Sequence, residues 1–261
     1  MKRDSSGTKL QHGHPNLRSP YMDTAAIIRA CNLLEQAEVK SYDLLSSGSN
    51  YVFISTMVKD GTEIKAIYKP RRGEVPLWDF PDGTLYRREY AAFMVSQALK
   101  WDLIPPTVIR DGPFGIGSMQ WFVGTMNRVK HCSQTTNDLS ALKQVALFDY
   151  LVNNADRKAG HFLEDEDGRL WVVDHGLTFN TVPKLRTVLW DFSGQTVPKK
   201  LLADVKILRE KLKHEKQLSE SLHRLLEAAE VKALESRINK IIEKPVFAYP
   251  ESRRSVPWSW I

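Results

Sequence analysis

Cysteines and long hydrophobic runs are both scarce in this sequence, and their scarcity excludes several classes of protein. The two cysteines among 261 residues, Cys31 and Cys132, are too few and too far apart for a disulfide framework or a zinc site. No apolar run approaches the roughly 18 residues of a transmembrane helix. The polar start, MKRDSSGTKLQHGHPN, is not followed by an apolar segment, so we expect no signal peptide. These features predict a cytoplasmic protein.

Internal repeats and low-complexity tracts are absent as well, and the composition is that of an ordinary globular protein. Apolar residues make up 42% and charged residues 26% of the chain. The net charge of +6 is compatible with an anionic ligand, a lipid or a nucleic acid, but also with a protein that is merely basic. Because charge is the sole indication of nucleic-acid binding, we expect no nucleic-acid partner.

The first half of the sequence is rich in predicted strands. After a polar tail at residues 1–20, helices are predicted at Thr24–Ala37 and at about Leu85–Lys100. The Asp60-Gly61 pair is a hairpin signal. Runs of β-branched and aromatic residues between turn signals predict five strands, at Val39–Leu45, Tyr51–Val58, Glu63–Tyr68, Thr107–Arg110 and Ser118–Gly124.

The second half is predicted to be mainly helical. Thr125–Asn137 is polar and irregular, and we expect it to connect the two halves. A helix is predicted at Asp138–Asn153, and further helices occupy most of Lys199–Lys244. The predicted organisation is therefore a flexible tail and two units, at residues 1–20, 21–124 and 125–261.

The stretch Leu151–Phe179 concentrates polar residues in a loop and at a strand end. Asp156 and His161 lie in the loop, and Asp174 follows the strand Leu170–Val173 of a predicted hairpin. Magnesium prefers hard oxygen ligands, and an attacking hydroxyl needs a carboxylate to orient it and accept its proton. The stretch therefore fits a metal–nucleotide site, although a charged loop followed by a surface hairpin gives the same pattern.

Three features of the first half could complete such a site. Lys69 ends the third predicted strand, and Glu89 lies in the first turns of the following helix. The turn Ser46–Asn50 is built of small residues, so backbone amides near Ser47 and Ser49 could approach a phosphate. Each feature has an ordinary alternative, namely a solvated lysine, a carboxylate at a helix dipole and a hairpin turn.

In order and spacing, these residues together resemble the protein-kinase-like fold. The phrases Asn154-Ala155-Asp156-Arg157, Val173-Asp174-His175-Gly176-Leu177 and Tyr68-Lys69-Pro70 are closer to phosphatidylinositol 3- and 4-kinases than to protein kinases. Four longer phrases resemble a bacterial family described as phosphatidylinositol-kinase-like: KPRRGEVPLWDFPDGTLYRRE, IPPTVIRDGPFG, LFDYLVNNADRKAGH and PKLRTVLW. The resemblance covers residues 38–195.

The resemblance implies an α+β fold with two lobes, a β-rich N-lobe and a mainly helical C-lobe, with ATP bound between them. Lys69 corresponds to the strand lysine that holds the α- and β-phosphates, and Glu89 to the helix glutamate that pairs with it. Backbone groups near Phe122 and Val123 are expected to face the adenine. The phosphate loop at Ser46–Asn50 is shorter and poorer in glycine than that of a protein kinase.

The resemblance also assigns roles in the second half. Asp156 corresponds to the catalytic-loop aspartate that orients the acceptor hydroxyl, and Lys158 to a lysine near the transferred phosphate. Asp174 corresponds to the metal-binding aspartate of the Asp-Phe-Gly motif. His161 occupies the place of a metal-binding asparagine, and this exchange suits Mn²⁺ better than Mg²⁺.

These correspondences predict an ATP-dependent phosphotransferase that needs Mg²⁺ or Mn²⁺ and acts on a hydroxyl group. The acceptor stays open between a lipid, a protein and a metabolite, and peripheral membrane contact is compatible with a lipid acceptor. Two alternatives also remain. One is transfer of AMP, or of phosphate to a protein or small molecule, and the other is an inactive nucleotide-binding pseudokinase, which the replacement at His161 favours.

Overall fold

The structure is a computed structural model, and it describes residues 24–45, 49–124, 127–128, 139–251 and 255–257. The prediction for the tail at residues 1–20 lies outside the described residues, as does Ser47. Of the predicted connector, the structure describes residues 127–128 alone.

A five-stranded antiparallel sheet and two helices form the first part of the molecule. The strand order is β1-β2-β3-β5-β4. The elements are helix α1 at Thr24–Gln36, strands β1 at Glu38–Leu45, β2 at Val52–Lys59 and β3 at Thr62–Pro70, helix α2 at Leu85–Ala98, and strands β4 at Thr107–Gly112 and β5 at Gly115–Trp121. We refer to this part as the sheet lobe.

Strand β3 carries its side chains alternately toward and away from the core. Ile64, Ala66 and Tyr68 are buried, which places Lys69 on the opposite face. Lys69 lies beside Ser118 of β5 in the sheet register. Glycine is required at position 117 of β5, because an added Cβ would lie 2.4 Å from the carbonyl oxygen of Lys69 on the neighbouring strand β3.

Three short strands and four α-helices of the described residues form the second part, which we call the helical lobe. A small sheet in the order β6-β7-β8 consists of Asn127–Arg128, Phe162–Glu164 and Leu170–Val172. The helices are α3 at Leu139–Val152, α4 at Lys199–His214, α5 at Lys216–Leu225 and α6 at Ala228–Glu243. Leucine and isoleucine side chains of α4–α6 face a core that is continuous with that of the sheet lobe. None of the described helices is long and apolar enough to span a membrane.

The α+β prediction is confirmed, but two local predictions are wrong. The last strand of the sheet lobe ends at Trp121 rather than Gly124, because beyond the hydrogen bond from the N–H of Phe122 to Lys65 no further residue of this segment pairs with β3. The predicted connector is not irregular throughout, since Asn127 and Arg128 pair with Leu163 and Glu164 in the small sheet. A strand of two residues is too short to produce a hydrophobic pattern.

Candidate active site

Lys69 of the sheet lobe reaches across to the helical lobe and contacts two carboxylates. Its Nζ donates to Oε1 of Glu89 on α2 and, at 2.9 Å, to Oδ1 of Asp174 beyond β8. The Glu89 side chain is buried, whereas Asp174 is half exposed and Lys69 partly exposed. Three charged groups that are remote in sequence therefore meet at one place between the lobes, on a side open to solvent.

Glu89 also fixes the backbone next to Asp174. Its Oε2 accepts a hydrogen bond of 3.0 Å from the backbone N–H of His175. Asp174 itself adopts a left-handed backbone conformation with φ of 62°, which non-glycine residues rarely adopt. Such conformations persist where the surroundings hold them in place, and they occur often at functional sites.

The charges of this cluster shift one another's pKa values. The ammonium group of Lys69 lowers the pKa of Asp174 well below its usual range, against the opposing effect of burial. Burial alone would lower the pKa of Lys69, but the carboxylates of Asp174 and Glu89 outweigh burial and raise it. Both groups are therefore charged at neutral pH, as binding of metal and phosphate requires.

His161 lies next to Asp174, with its Nε2 at 3.4 Å from Oδ2 of the carboxylate. Burial lowers the pKa of His161 to about 4, although Asp174 opposes that shift. The ring is therefore neutral at pH 7, which is the protonation state that ligates metals. The 3₁₀ turn Ala159–His161 carries the ring to this position, directly before β7.

A divalent metal fits this pair as a partial ligand set. No group of three or more His, Cys, Asp or Glu side chains suited to a metal converges anywhere in the described ranges. Mg²⁺ at phosphotransfer sites characteristically uses one or two protein ligands together with water and substrate phosphates. Asp174 would supply a hard oxygen and His161 a nitrogen that Mn²⁺ accepts more readily. The assignment of these two residues to a metal stays a prediction.

Asp156 and Lys158 lie on the loop that follows α3. Nζ of Lys158 is 2.8 Å from Oδ2 of Asp156, and each side chain is about a quarter exposed. Burial raises the pKa of Asp156, and Asp174 raises it further, whereas Lys158 and Arg186 lower it. The carboxylate therefore lies within electrostatic reach of the cluster at Asp174. That position suits a group that orients a hydroxyl, and the catalytic role stays a prediction.

A buried pair of charged residues, which the sequence did not predict, holds this loop against α3. Arg157 contacts Asp149 of α3 through Nε and Nη2, at 2.9 to 3.2 Å, and its Nη1 donates to the carbonyl oxygen of Val173 at 2.8 Å. Both side chains are fully buried. The single carboxylate in the apolar run ALFDYLV was the available signal for a buried charge pair.

His175 joins the same network. Its Nε2 lies 2.7 Å from Nη2 of Arg157, and because arginine cannot accept a hydrogen bond, Nε2 is the acceptor and the proton is on Nδ1. Nδ1 is buried and has no hydrogen-bond partner among the described residues. Burial, together with Arg157, lowers the pKa of His175 well below the usual value. A neutral histidine thus links the catalytic loop to the segment that carries Asp174.

Helix α2 makes another contact with the helical lobe that the sequence did not indicate. Nη2 of Arg88 donates to Oε1 of Glu230 on α6 at 2.6 Å, and its Nη1 donates to the carbonyl oxygen of Thr178 at 2.7 Å. Arg88 and Glu230 are both buried. Glu74 holds the start of the same helix, because its carboxylate accepts the N–H groups of Leu85 and Tyr86.

The remaining predicted nucleotide contacts are less well placed. Ser49 is exposed in the turn between β1 and β2, and no described contact joins it to Lys69. Phe122 and Val123 lie immediately after β5, where the chain leaves the sheet lobe. The N–H of Phe122 donates to the carbonyl oxygen of Lys65, so a backbone hydrogen bond from Phe122 to a base would use its carbonyl group.

Sequence comparison gives one clear relative. No known family profile matches the chain. The chain is 34% identical to protein Rv2133c of Mycobacterium tuberculosis, in an alignment that covers 87% of this chain and 93% of the relative. The chain belongs to the family of that protein.

Comparison with solved structures identifies the fold of this chain. The Golgi casein kinase matches with a TM-score of 0.55 at 16% identity, over 85% of this chain and 75% of that chain. A structure of the same kinase with Mn and ADP bound gives the same TM-score. Hydra Fam20, solved with sugar, matches with a TM-score of 0.52 at 14% identity, over 85% of this chain and 89% of that chain. At such identities the likeness establishes the kinase-like fold alone.

Proposed function

We propose that this protein is an ATP-dependent phosphotransferase that uses a divalent metal and acts on a hydroxyl group. One observation carries the proposal, namely the meeting of Lys69 from the sheet lobe with Asp174 of the helical lobe at 2.9 Å. A cation and a metal-binding carboxylate at the same place between two lobes are what a nucleoside triphosphate and its metal require. The kinase structures that share this fold, one with Mn and ADP, support the proposal.

Each side chain of the cluster has a separate task in this proposal. Lys69, held by Glu89, offsets the negative charge of the α- and β-phosphates. Asp174 and His161 would hold a divalent metal, which would supply positive charge next to the phosphate oxygens. Most of the acceleration then comes from positioning and electrostatics, as is usual for phosphoryl transfer.

Two residues act on the acceptor side. Asp156 accepts a hydrogen bond from the acceptor hydroxyl and takes its proton as the new O–P bond forms, while the bond between the γ-phosphorus and the β,γ-bridging oxygen breaks and ADP leaves. Lys158, which pairs with Asp156 at 2.8 Å in the structure, stabilises negative charge on the transferring phosphoryl group. Arg186 lies within electrostatic reach of Asp156 and adds positive charge on this side.

We further propose that the protein is of the phosphatidylinositol-kinase-like type, on the basis of its phrases around Asp156, Asp174 and Lys69. The acceptor is a lipid, a protein or a metabolite. Trp78 is exposed, and Nζ of Lys184 lies 4.7 Å from the centre of its ring. An exposed aromatic ring beside a cation is suited to contact a lipid surface. AMP transfer onto a hydroxyl is the competing reaction.

A pseudokinase is the rival proposal, and His161 is the observation that favours it. Incubation with ATP labelled separately on the α- and γ-phosphates, with Mg²⁺ or Mn²⁺, separates the possibilities. Phosphoryl transfer moves the γ-label onto protein, lipid or metabolite, whereas AMP transfer moves the α-label. Nucleotide binding without release of either label, across metals and acceptors, would contradict the proposed enzyme and support the pseudokinase.

A further inference from the structure

Helix α2 holds the segment that carries Asp174 with two neighbouring residues. Glu89 accepts the N–H of His175 at 3.0 Å, and Arg88 donates to the carbonyl oxygen of Thr178 at 2.7 Å. The hydroxyl of Thr178 in turn donates to the carbonyl oxygen of His175 at 2.7 Å. The helix therefore contacts both ends of one short turn, and this turn begins directly after the carboxylate that Lys69 contacts.

Arg88 extends this attachment into the body of the helical lobe. Oε1 of Glu230 accepts from Nη2 of Arg88 at 2.6 Å, and Oε2 of Glu230 accepts from the N–H of Glu227 at 3.0 Å. Glu230 thus binds Arg88 and caps the start of α6 with the same carboxylate. The guanidinium group also lies 5.0 Å from the centre of the Phe80 ring. Every oxygen of Glu230 is occupied, so its orientation is fixed.

The burial of this pair separates it from a surface ion pair. The side chain of Arg88 is 1% exposed and that of Glu230 is 8% exposed. Exposed pairs exchange readily with water, whereas a buried pair that loses one member leaves an uncompensated charge. Sliding of α2 over the helical lobe would break the pair, and no described carboxylate other than Glu230 lies within ion-pair distance of Arg88.

We propose that Arg88 and Glu230 are positioning residues that keep α2 attached to the helical lobe. Glu89 and the segment that carries Asp174 then keep a fixed relative position, to which Lys69 binds. When the lobes move relative to each other, β3 moves and α2 stays with the helical lobe. This inference rests on the proposed function, since it concerns how the phosphate-binding cluster stays aligned. In the proposed mechanism neither residue contacts nucleotide or acceptor.

Four forms of the full-length protein test the proposal: wild type, Arg88→Met, Glu89→Gln and the double variant. We expect Arg88→Met to weaken metal-dependent ATP affinity about tenfold, because small misplacements of phosphate-binding groups are costly. In the Glu89→Gln background the same change should have less than about a twofold effect, because Arg88 and Glu89 hold the two ends of the same turn and loss of either contact frees it. Equal effects in both backgrounds, or unchanged affinity in a folded Arg88→Met protein, would overturn the proposal.

Hydrogen exchange provides a readout that does not depend on nucleotide. Arg88→Met should speed exchange of the His175 amide on the order of tenfold, because its hydrogen bond to Glu89 opens more often. Arg87→Met is the matched control, since Arg87 is the neighbouring cation of α2 and its Nε donates to the hydroxyl of Tyr86. We expect no change at His175 in that control. Unchanged exchange at His175 in Arg88→Met overturns the positioning role alone, whereas wild-type protein that binds no ATP overturns the proposed function alone.

If Arg88→Met folds poorly, the double variant Arg88→Met/Glu230→Met still tests the proposal. Removing both charges restores a neutral interior of similar volume. We expect this variant to regain the part of the melting temperature that the unpaired charge costs, but not the part that the α6 cap of Glu230 contributes. Its ATP affinity should stay about tenfold weaker, because the bond to Thr178 is still absent. Recovery of ATP affinity together with melting temperature would show that the pair is merely structural.

Discussion

Two charged clusters meet near the loop at Asp156, and they differ in their access to water. Lys69 and Asp174 face the space between the lobes, with side chains that are 22% and 52% exposed. Arg157 and Asp149 lie directly behind the loop and are wholly buried. Charges open to solvent can exchange one partner for another, such as a phosphate or a metal, whereas charges in a dry interior cannot. The first cluster is therefore suited to binding and the second to support.

The largest effect is expected from breaking the buried pair. Arg157→Leu leaves Asp149 charged and without its partner, and we expect it to lower the free energy of unfolding by about 3–5 kcal/mol. Urea denaturation measures this change. The control is Arg157→Leu/Asp149→Leu, which removes both charges and should regain much of the loss. Equal stability of Arg157→Leu and wild type would contradict the supporting role.

Asp156→Asn should separate chemistry from binding at the exposed side. Losing the carboxylate that takes the proton should lower kcat by about 10²–10⁴-fold while ATP affinity stays near that of wild type. Steady-state transfer of label and an ATP titration measure the two quantities. Asp167→Asn, the same change in an exposed hairpin turn, is the matched control. Undiminished turnover in Asp156→Asn would remove it from the mechanism.

The pH dependence gives a smaller effect with a definite sign. Burial raises the pKa of Asp156, and the proposed role needs the ionised carboxylate. Lowering the pH through that raised pKa protonates the group, so kcat/KM should fall about tenfold per pH unit below it and level off above it. A profile of kcat/KM against pH measures the limb. If the fall of kcat/KM at low pH disappears in Asp156→Asn, Asp156 is the group that titrates. If the fall is unchanged, another group titrates.

The smallest effect is expected at an ion pair that neither binds a ligand nor supports the loop at Asp156. Lys40 and Glu38 are exposed at the edge of the sheet lobe, with Nζ 2.5 Å from Oε2. Lys40→Ala should change the free energy of unfolding by less than about 1 kcal/mol, because exposed ion pairs are weak. Thermal melts at low and high salt check this. A loss as large as that of Arg157→Leu would show that burial is not what distinguishes the two clusters.

The sequence predicted the exposed cluster better than its support. Lys69, Glu89, Asp156 and Asp174 were found because strand ends, helix turns and loops occur in an order that resembles a familiar fold, and the structure brings these residues to one region. His161 was found by the same route, and its protonation depends on burial that no sequence pattern shows.

The supporting contacts depend on how separate elements pack. Arg88 meets Glu230 from 142 positions away in the chain, and no local pattern indicates such a pair. Asp149 is a single carboxylate in an apolar helix, which the sequence analysis did not use, and its partner Arg157 is identified only by the fold. Strand β6 was missed for a related reason, since its two residues form a strand only because β7 lies beside them.

The most direct measurement of the central claim is a titration of ATP into the protein with Mg²⁺ or Mn²⁺. The claim is that Asp174 and Lys69 form one site for metal and triphosphate. We predict metal-dependent binding to wild type, loss of the metal dependence in Asp174→Ala, and full retention in Asp167→Asn. Unchanged metal-dependent binding in Asp174→Ala would contradict the account.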